Sequence, residues 1–305
     1  MKRKTPVNVG ASVRARLLKV SKERREDFTL TLMNYAAERF LYRLSRSRLR
    51  EQFVLKGAML FAVRIGERYR STRDLDLLGM GEATEAAIHA AVREIATTKV
   101  EDDGLVFDVD TMEVHAIRED NRYGGIRAIM QAHLAEARIH VQIDVGFGDA
   151  ITPAAMDMNF PTLLDDMASP NVLAYSNETI VAEKAEAIVD LGLSNSRMKD
   201  FTDIAMAARR WTFDGDTLVA ALQATFRRRR TSLPDDEIVG LNERFIQDER
   251  ARANWKAFVT RNHPDGFDSL SDLVNEFRSF LLTPLEHVRT GRAFNATWNP
   301  GGPWA

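Results

Sequence analysis

Between residues 28 and 49, Leu30, Met33, Ala37, Phe40, Leu41 and Leu44 recur at spacings of three and four, which predicts a helix with one apolar face. The pattern then changes. Phe53-Val54-Leu55 reads as a short apolar strand, followed by Gly57 and a helical stretch from Ala58 to Ile65. Asp74-Leu75-Asp76-Leu77-Leu78 alternates polar and apolar, as a half-buried strand does. An Ala-rich helix over 82–97 precedes three strands at about 105–117, 124–132 and 138–146, with turn signals at Asn121 and Gly124-Gly125. Gly146, Gly148 and Pro153 interrupt the alternation and predict a loop. From Asn177 to about 289 the period is helical, and Asn299-Pro300-Gly301-Gly302-Pro303 predicts an extended tail. The expected organisation is a helical lead over 1–50, an α/β core over 51–170, a helical C-terminal domain over 171–290 and the tail at 291–305. The fold class is α+β.

Composition narrows the functional classes. With 45% hydrophobic and 28% charged residues in 305, the chain reads as globular rather than disordered, collagen-like or rod-forming. It contains no Cys, so disulfides, thiolate metal sites and a cysteine nucleophile are excluded. No apolar run approaches the roughly 18 residues of a membrane span. Met1-Lys2-Arg3-Lys4 lacks the apolar stretch of a secretory signal, and the expected setting is the cytoplasm. The net charge of −2 conceals an asymmetry: residues 1–50 carry 14 Lys or Arg against four acids, leaving the remainder acidic. That split suggests a basic face for a polyanion, and Arg227-Arg228-Arg229-Arg230 adds a second patch. A solvated helical surface accounts for either run taken alone.

Candidate chemistry begins at Asp74 and Asp76. Two apart on a strand, they share a face while Leu75 and Leu77 turn to the core. Paired carboxylates repel unless a cation or proton intervenes, and Mg²⁺ is commonly held by one or two carboxylates together with substrate phosphates. In Ile139-His140-Val141-Gln142-Ile143-Asp144-Val145 the apolar residues take one face, and His140, Gln142 and Asp144 take the other. If the two strands are neighbours, three carboxylates meet, which suits divalent ions clamping a phosphoryl displacement. At Leu55-Lys56-Gly57-Ala58 a strand turns into a helix whose N-terminal N–H groups and the Lys56 charge offer a phosphate cradle. Asn177 is expected to cap a helix carrying Lys184 among alanines. Lys199 and Asp203, four apart, stack on one side of a further helix, opposite Phe201, Ile204, Ala205 and Ala208. Surface ion pairs explain these last two features equally well.

In order, Leu55-Lys56-Gly57-Ala58, Arg70-Ser71-Thr72-Arg73-Asp74-Leu75-Asp76-Leu77, Gln142 to Asp149, Ala182-Glu183-Lys184 and Arg197 to Asp203 resemble the motifs of the AbiEii/AbiGii nucleotidyltransferase toxins of abortive infection. The likeness spans roughly residues 50 to 210. Gly57-Ala58 departs from the usual Gly-Gly or Gly-Ser turn and offers no hydroxyl to a phosphate. The resemblance implies a minimal, polymerase-beta-like nucleotidyltransferase core with a mixed sheet. It implies Mg²⁺ or Mn²⁺ on Asp74, Asp76 and Asp144, with Asp144 also activating the attacking hydroxyl. Lys56 and Lys184 would neutralise phosphate, and Asp203 would orient Lys184 or the nucleotide. Gly57, Ala58, Thr72, Arg73 and Lys199 complete the nucleotide-binding set. The implied reaction moves NMP from an NTP to an acceptor hydroxyl, an RNA 3′ end and tRNA above all, blocking translation. A cognate antitoxin is the implied partner, and phosphorylation of Ser71 or Thr72 a conceivable control. The competing readings are nucleotidylation of a protein, a non-catalytic sequestering toxin and a metal-dependent nuclease.

Overall fold

The computed structural model describes residues 8–66, 73–117, 124–235, 237–262 and 266–305. They form two compact units, one of Met1–Val63, Ser71–Gly148 and Met156–Ala174, the other of Arg64–Arg70, Asp149–Ala155 and Tyr175–Ala305.

The first unit contains helices α1 (Val9–Arg24) and α2 (Phe28–Arg46), strand β1 (Phe53–Leu55), helix α3 (Gly57–Ile65) and strand β2 (Asp74–Gly79). Helix α4 (Glu85–Ala96) and strands β3 (Leu105–Ile117), β4 (Gly125–Leu134), β5 (Ala137–Phe147), β6 (Met156–Asn159) and β7 (Asn171–Ala174) follow. The strands make one mixed sheet in the order β3-β4-β5-β2-β1-β7-β6. Consecutive strands β3, β4 and β5 pair antiparallel, whereas β2 lies parallel to β5 and β1 parallel to β7. Strands β6 and β7 fall where the Gly and Pro signals predicted only loop.

Three helices of this unit start where a side chain can satisfy an orphan backbone N–H. Asn8 caps α1, Asp27 caps α2 and Thr84 caps α4, each accepting from the N–H three residues on. The α4 cap delays that helix to Glu85, three residues after the predicted start. Helix α2 covers the apolar face of β5, where Ile139, Val141, Ile143 and Val145 are buried beside Ala128, Met130 and Ala132 of β4. Phe40 meets Phe107 of β3 edge-on, with ring centres 5.9 Å apart, a favoured quadrupole geometry.

Much of the basic surplus of residues 1–50 is consumed inside this unit. Arg43 forks onto Asp103 at 2.7 and 3.1 Å, with both side chains buried. Arg39 pairs with Glu38 at 2.7 Å and reaches the Ala168 carbonyl at 2.8 Å, while Glu38 accepts from the Leu163 N–H at 2.6 Å. Arg16 pairs with Asp166, Arg48 with Glu94 and Arg50 with Asp157. The exposed remainder includes Arg14, Lys19, Lys22 and Arg25 on the outer side of α1. Helix α1 packs on α2, in the layer on the apolar face of the sheet.

The second unit is helical: α5 (Asn177–Leu191), α6 (Met198–Arg210), α7 (Gly215–Arg229), α8 (Glu243–Gln247), α9 (Glu249–Asn262) and α10 (Leu270–Thr290). Two short strands, β8 (Phe213–Asp214) and β9 (Thr297–Trp298), pair antiparallel. The tail read from sequence as an extended arm is packed. Trp298 is buried and donates to the Ala208 carbonyl at 2.7 Å, and Trp304 donates to the Phe280 carbonyl at 2.8 Å while stacking on that ring. The arginine cluster is also divided: Arg229 turns inward to Glu186, Glu183 and Asp149 at 2.7, 3.3 and 3.4 Å, while Arg227, Arg228 and Arg230 are exposed.

Replacing Arg43 by Met strands the Asp103 carboxylate in the core. The expected cost is about 3–5 kcal/mol of unfolding free energy, measured by urea denaturation at pH 7. A loss below about 1 kcal/mol would show the pair to be dispensable.

Candidate active site

The three carboxylates singled out in the sequence come together through the parallel pairing of β2 and β5. Asp76 stands opposite Asp144, and Asp74 opposite Gln142, so Asp74, Asp76, Gln142 and Asp144 share the polar face of two adjacent strands. Leu75, Leu77, Ile143 and Val145 are buried on the other face. Two acids at one register position concentrate like charge at a half-buried spot. Burial pushes the Asp76 carboxyl up to about 6, and Asp144 and Asp74 push the same way, against the opposing Lys56 charge and a hydrogen bond from the Ala58 N–H.

At the strand-to-helix turn read from the sequence as a phosphate cradle, the Ala58 N–H is aimed at Asp76. Gly57, with φ +72°, makes the approach possible, because a Cβ there would lie 2.0 Å from an Asp76 carboxylate oxygen. Lys56 sits one residue before this turn, its backbone N–H donating to the Asp76 carbonyl at 3.0 Å.

One cation at the site was not found from the sequence. Arg127 on β4 lies opposite Asp144 and forks onto both its oxygens, Nε and Nη2 each at 2.7 Å. The hydrogen bond to Asp144 first, then the charges of Asp144, Asp74 and Asp76, hold the guanidinium above its usual pKa. Gln142 Nε2 adds contacts of 3.3 and 3.2 Å to the same carboxylate. The signal was present: in a β4–β5 hairpin turning at Ala135-Glu136, counting back from Asp144 arrives at Arg127. Beyond Asp144 the polar face continues through the pairs Ile129↔Gln142 and Gln131↔His140, with His140 and His115 exposed.

The donor set suits a hard divalent cation in part. Asp74 and Asp76 supply carboxylate oxygens of the kind Mg²⁺ takes alongside substrate phosphates. The close seat of Asp76 on Gly57 fixes one of them. With Asp144 engaged by Arg127, no three acidic or histidine side chains among the described residues are gathered to hold an ion together.

A family model described as "Nucleotidyl transferase AbiEii toxin, Type IV TA system" matches residues 39–281. The chain belongs to the AbiEii family. Two solved structures from Helicobacter pylori also match, each at 13% identity and a TM-score of 0.47. One, a candidate nucleotidyltransferase, covers 84% of this chain and 94% of its own; the other, JHP933, covers 85% and 93%. No curated protein matches the sequence. AbiEii membership implies nucleotidyl transfer, toxicity and a cognate antitoxin. Among the described residues no helix is long and apolar enough to cross a membrane.

In this AbiEii chain the remaining sequence-derived residues are carried by the segment before β2 and by the second unit. Ser71 and Thr72 lie outside the described residues, while Arg73 is exposed immediately before β2. In the second unit Lys184 of α5 bridges two aspartates of α6, Asp203 at 2.7 Å and Asp200 at 3.0 Å. Asp203 is therefore no surface partner of Lys199; its side chain is fully buried, and α6 is buried on most sides rather than along one apolar stripe. Burial opposes ionisation of Asp200, but Lys184 and Arg197 outweigh it and hold the carboxyl below its ordinary range. Ser176, not Asn177, caps α5, accepting from the Thr179 N–H at 3.1 Å.

Two measurements check these assignments. Because its carboxyl is raised in the fold, Asp76 favours folding at low pH and loses that contribution as pH rises through about 6. Asp76→Asn should therefore stabilise the metal-free protein by about 1–3 kcal/mol at roughly pH 7.5, and by far less near pH 4, where the carboxyl is protonated in the fold. Equal melting shifts at both pH values would show that Asp76 carries no such strain. Lys184→Met should cost about 3 kcal/mol or more, since two buried carboxylates lose their shared cation. Asp203→Asn introduced with it should recover part of that loss in urea denaturation.

Proposed function

We propose that this chain transfers a nucleoside monophosphate from an NTP to a hydroxyl of RNA, tRNA above all, and that Asp74 and Asp76 hold the divalent ion the reaction needs. The observation that carries the reading is the β2–β5 register, which stacks Asp76 against Asp144 with Asp74 on the same face. Bound there, Mg²⁺ would neutralise triphosphate oxygens and stabilise the charge developing on the leaving pyrophosphate. Asp76 is kept in place by Gly57 and the Ala58 N–H, and Lys56 adds positive charge beside it. Asp144, opposite Asp76 on the neighbouring strand, is the group suited to accept the proton of the attacking 3′ hydroxyl.

The acceptor is a polymer rather than a small molecule on this reading. The carboxylates adjoin a polar sheet face three strands wide, with Gln131, His140 and His115 along it. A broad polar face admits an extended chain end, whereas a small acceptor calls for enclosure. Among the described residues, the exposed cations of α1 belong to the helical layer on the opposite face of the sheet and are not counted in this reading. The AbiEii family supports the toxin role and the antitoxin partner.

The test is to incubate the protein with total RNA, Mg²⁺ and each α-labelled NTP in turn, resolving RNA and protein separately. Label in RNA of tRNA length, lost in folded Asp74→Asn, is the expected result. Label in a polypeptide would move the acceptor to protein, and shortened unlabelled RNA would make the enzyme a nuclease. Toxicity undiminished in Asp74→Asn would replace catalysis with sequestration.

A further inference from the structure

The carboxylate cluster already has a cation. Arg127 lays the fork of its guanidinium across both oxygens of Asp144, two parallel hydrogen bonds of 2.7 Å, the strongest geometry available to such a pair. Gln142 occupies further acceptor capacity of the same carboxylate. A hard divalent ion would need oxygen lone pairs that this arrangement has committed, and like charge repels it from the guanidinium itself.

Arg127 is placed to leave. Its side chain is 32% exposed, compared with 17% for Asp144, so the guanidinium can turn toward solvent, and the charge it uncovers on Asp144 is one that a divalent ion can take up. A guanidinium matches phosphate oxygens by the same bidentate geometry it uses for a carboxylate. The buried Arg43–Asp103 pair of the same unit, 7% and 5% exposed, has the same fork but no such access to solvent.

Resting on the nucleotidyltransferase reading, we propose that Arg127 is a positioning residue that holds both oxygens of Asp144 in the metal-free protein and exchanges them for the phosphates of the incoming nucleotide. In that exchange Arg127 trades one anion for another and Asp144 becomes available to a divalent ion or to the acceptor hydroxyl. Metal and nucleotide are thereby coupled: each binds better once the other has arrived, and neither loads the site well alone. A residue that merely braced Asp144 would act oppositely, and its loss would weaken ion binding.

The experiment titrates Mn²⁺ alone, followed by its electron paramagnetic resonance signal, into wild type, Arg127→Met, Arg127→Lys and Asp76→Asn, with melting temperature as the check on folding. Arg127→Met should bind Mn²⁺ more tightly than wild type, by roughly 5- to 150-fold, the usual range of such couplings. The same variant should bind an α,β-methylene triphosphate analogue in Mg²⁺ more weakly. Arg127→Lys keeps a charge but cannot fork both oxygens, so it should fall between, and it serves in place of Arg127→Met if that variant does not fold. Unchanged or weaker Mn²⁺ binding in a folded Arg127 variant overturns the proposal while leaving an Asp76-dependent site intact. Wild-type Mn²⁺ binding that ignores Asp76→Asn overturns both this proposal and the metal-dependent reading beneath it.

Discussion

Like charge packed into a half-buried space is the constraint around which the first unit is arranged. Parallel pairing of β2 with β5 sets Asp76 against Asp144, with Asp74 two residues away on the same face. Isolated carboxylates in that position would protonate or push apart. The surroundings answer with a different device for each acid. Asp144 takes a guanidinium, and Asp76 takes a helix N–H and the nearby Lys56 charge. Gly57 follows from this, because only a residue without a Cβ lets α3 start close enough to donate. The cluster is thus held by partners that a cationic or anionic ligand can compete with.

The second unit meets buried charge in another way. Lys184, Asp200, Asp203 and Arg197 form a near-neutral network whose members are mostly enclosed. Arg229 gathers three acids, Glu183, Glu186 and Asp149, on one guanidinium. Removing one member of such a network leaves its partner stranded in low dielectric, so these networks are costly to break. A run of arginines in the sequence is therefore not one uniform surface in the fold. Arg229 serves the interior while its neighbours face water, and Arg16, Arg39, Arg43, Arg48 and Arg50 are likewise committed within the basic lead.

The sequence made the central strands and most helices legible because their faces differ sharply in polarity. Period-two alternation placed Asp74, Asp76 and Asp144 on polar faces, and the structure supplies what alternation cannot, the adjacency of β2 and β5. Strand β6 escaped notice for a physical reason. Met156-Asp157-Met158-Asn159 is an edge strand with largely exposed side chains, so no buried face imposes a pattern on it. Arg127 was hidden differently, because its meaning depends on hairpin register rather than on local composition. Asp200 and Asp203, three apart on α6, converge on Lys184 from the polar side of an amphipathic helix, a side that reads as solvent-facing in the sequence but is enclosed in the fold.

Strands β2 and β5 are neighbours in space but are separated along the chain by α4 and the whole β3–β4 hairpin. No local segment contains the cluster, since Asp74 and Asp76 come from one side of that insertion and Asp144 from the other. A growing chain carries two harmless acids on a strand with an open edge until the hairpin has formed and β5 has docked. Closing such a long loop is among the slower events of folding. The acid cluster is therefore a property of the closed β2–β5 pairing alone, and any event that opens that pairing disperses it into one strand with two acids and another with one.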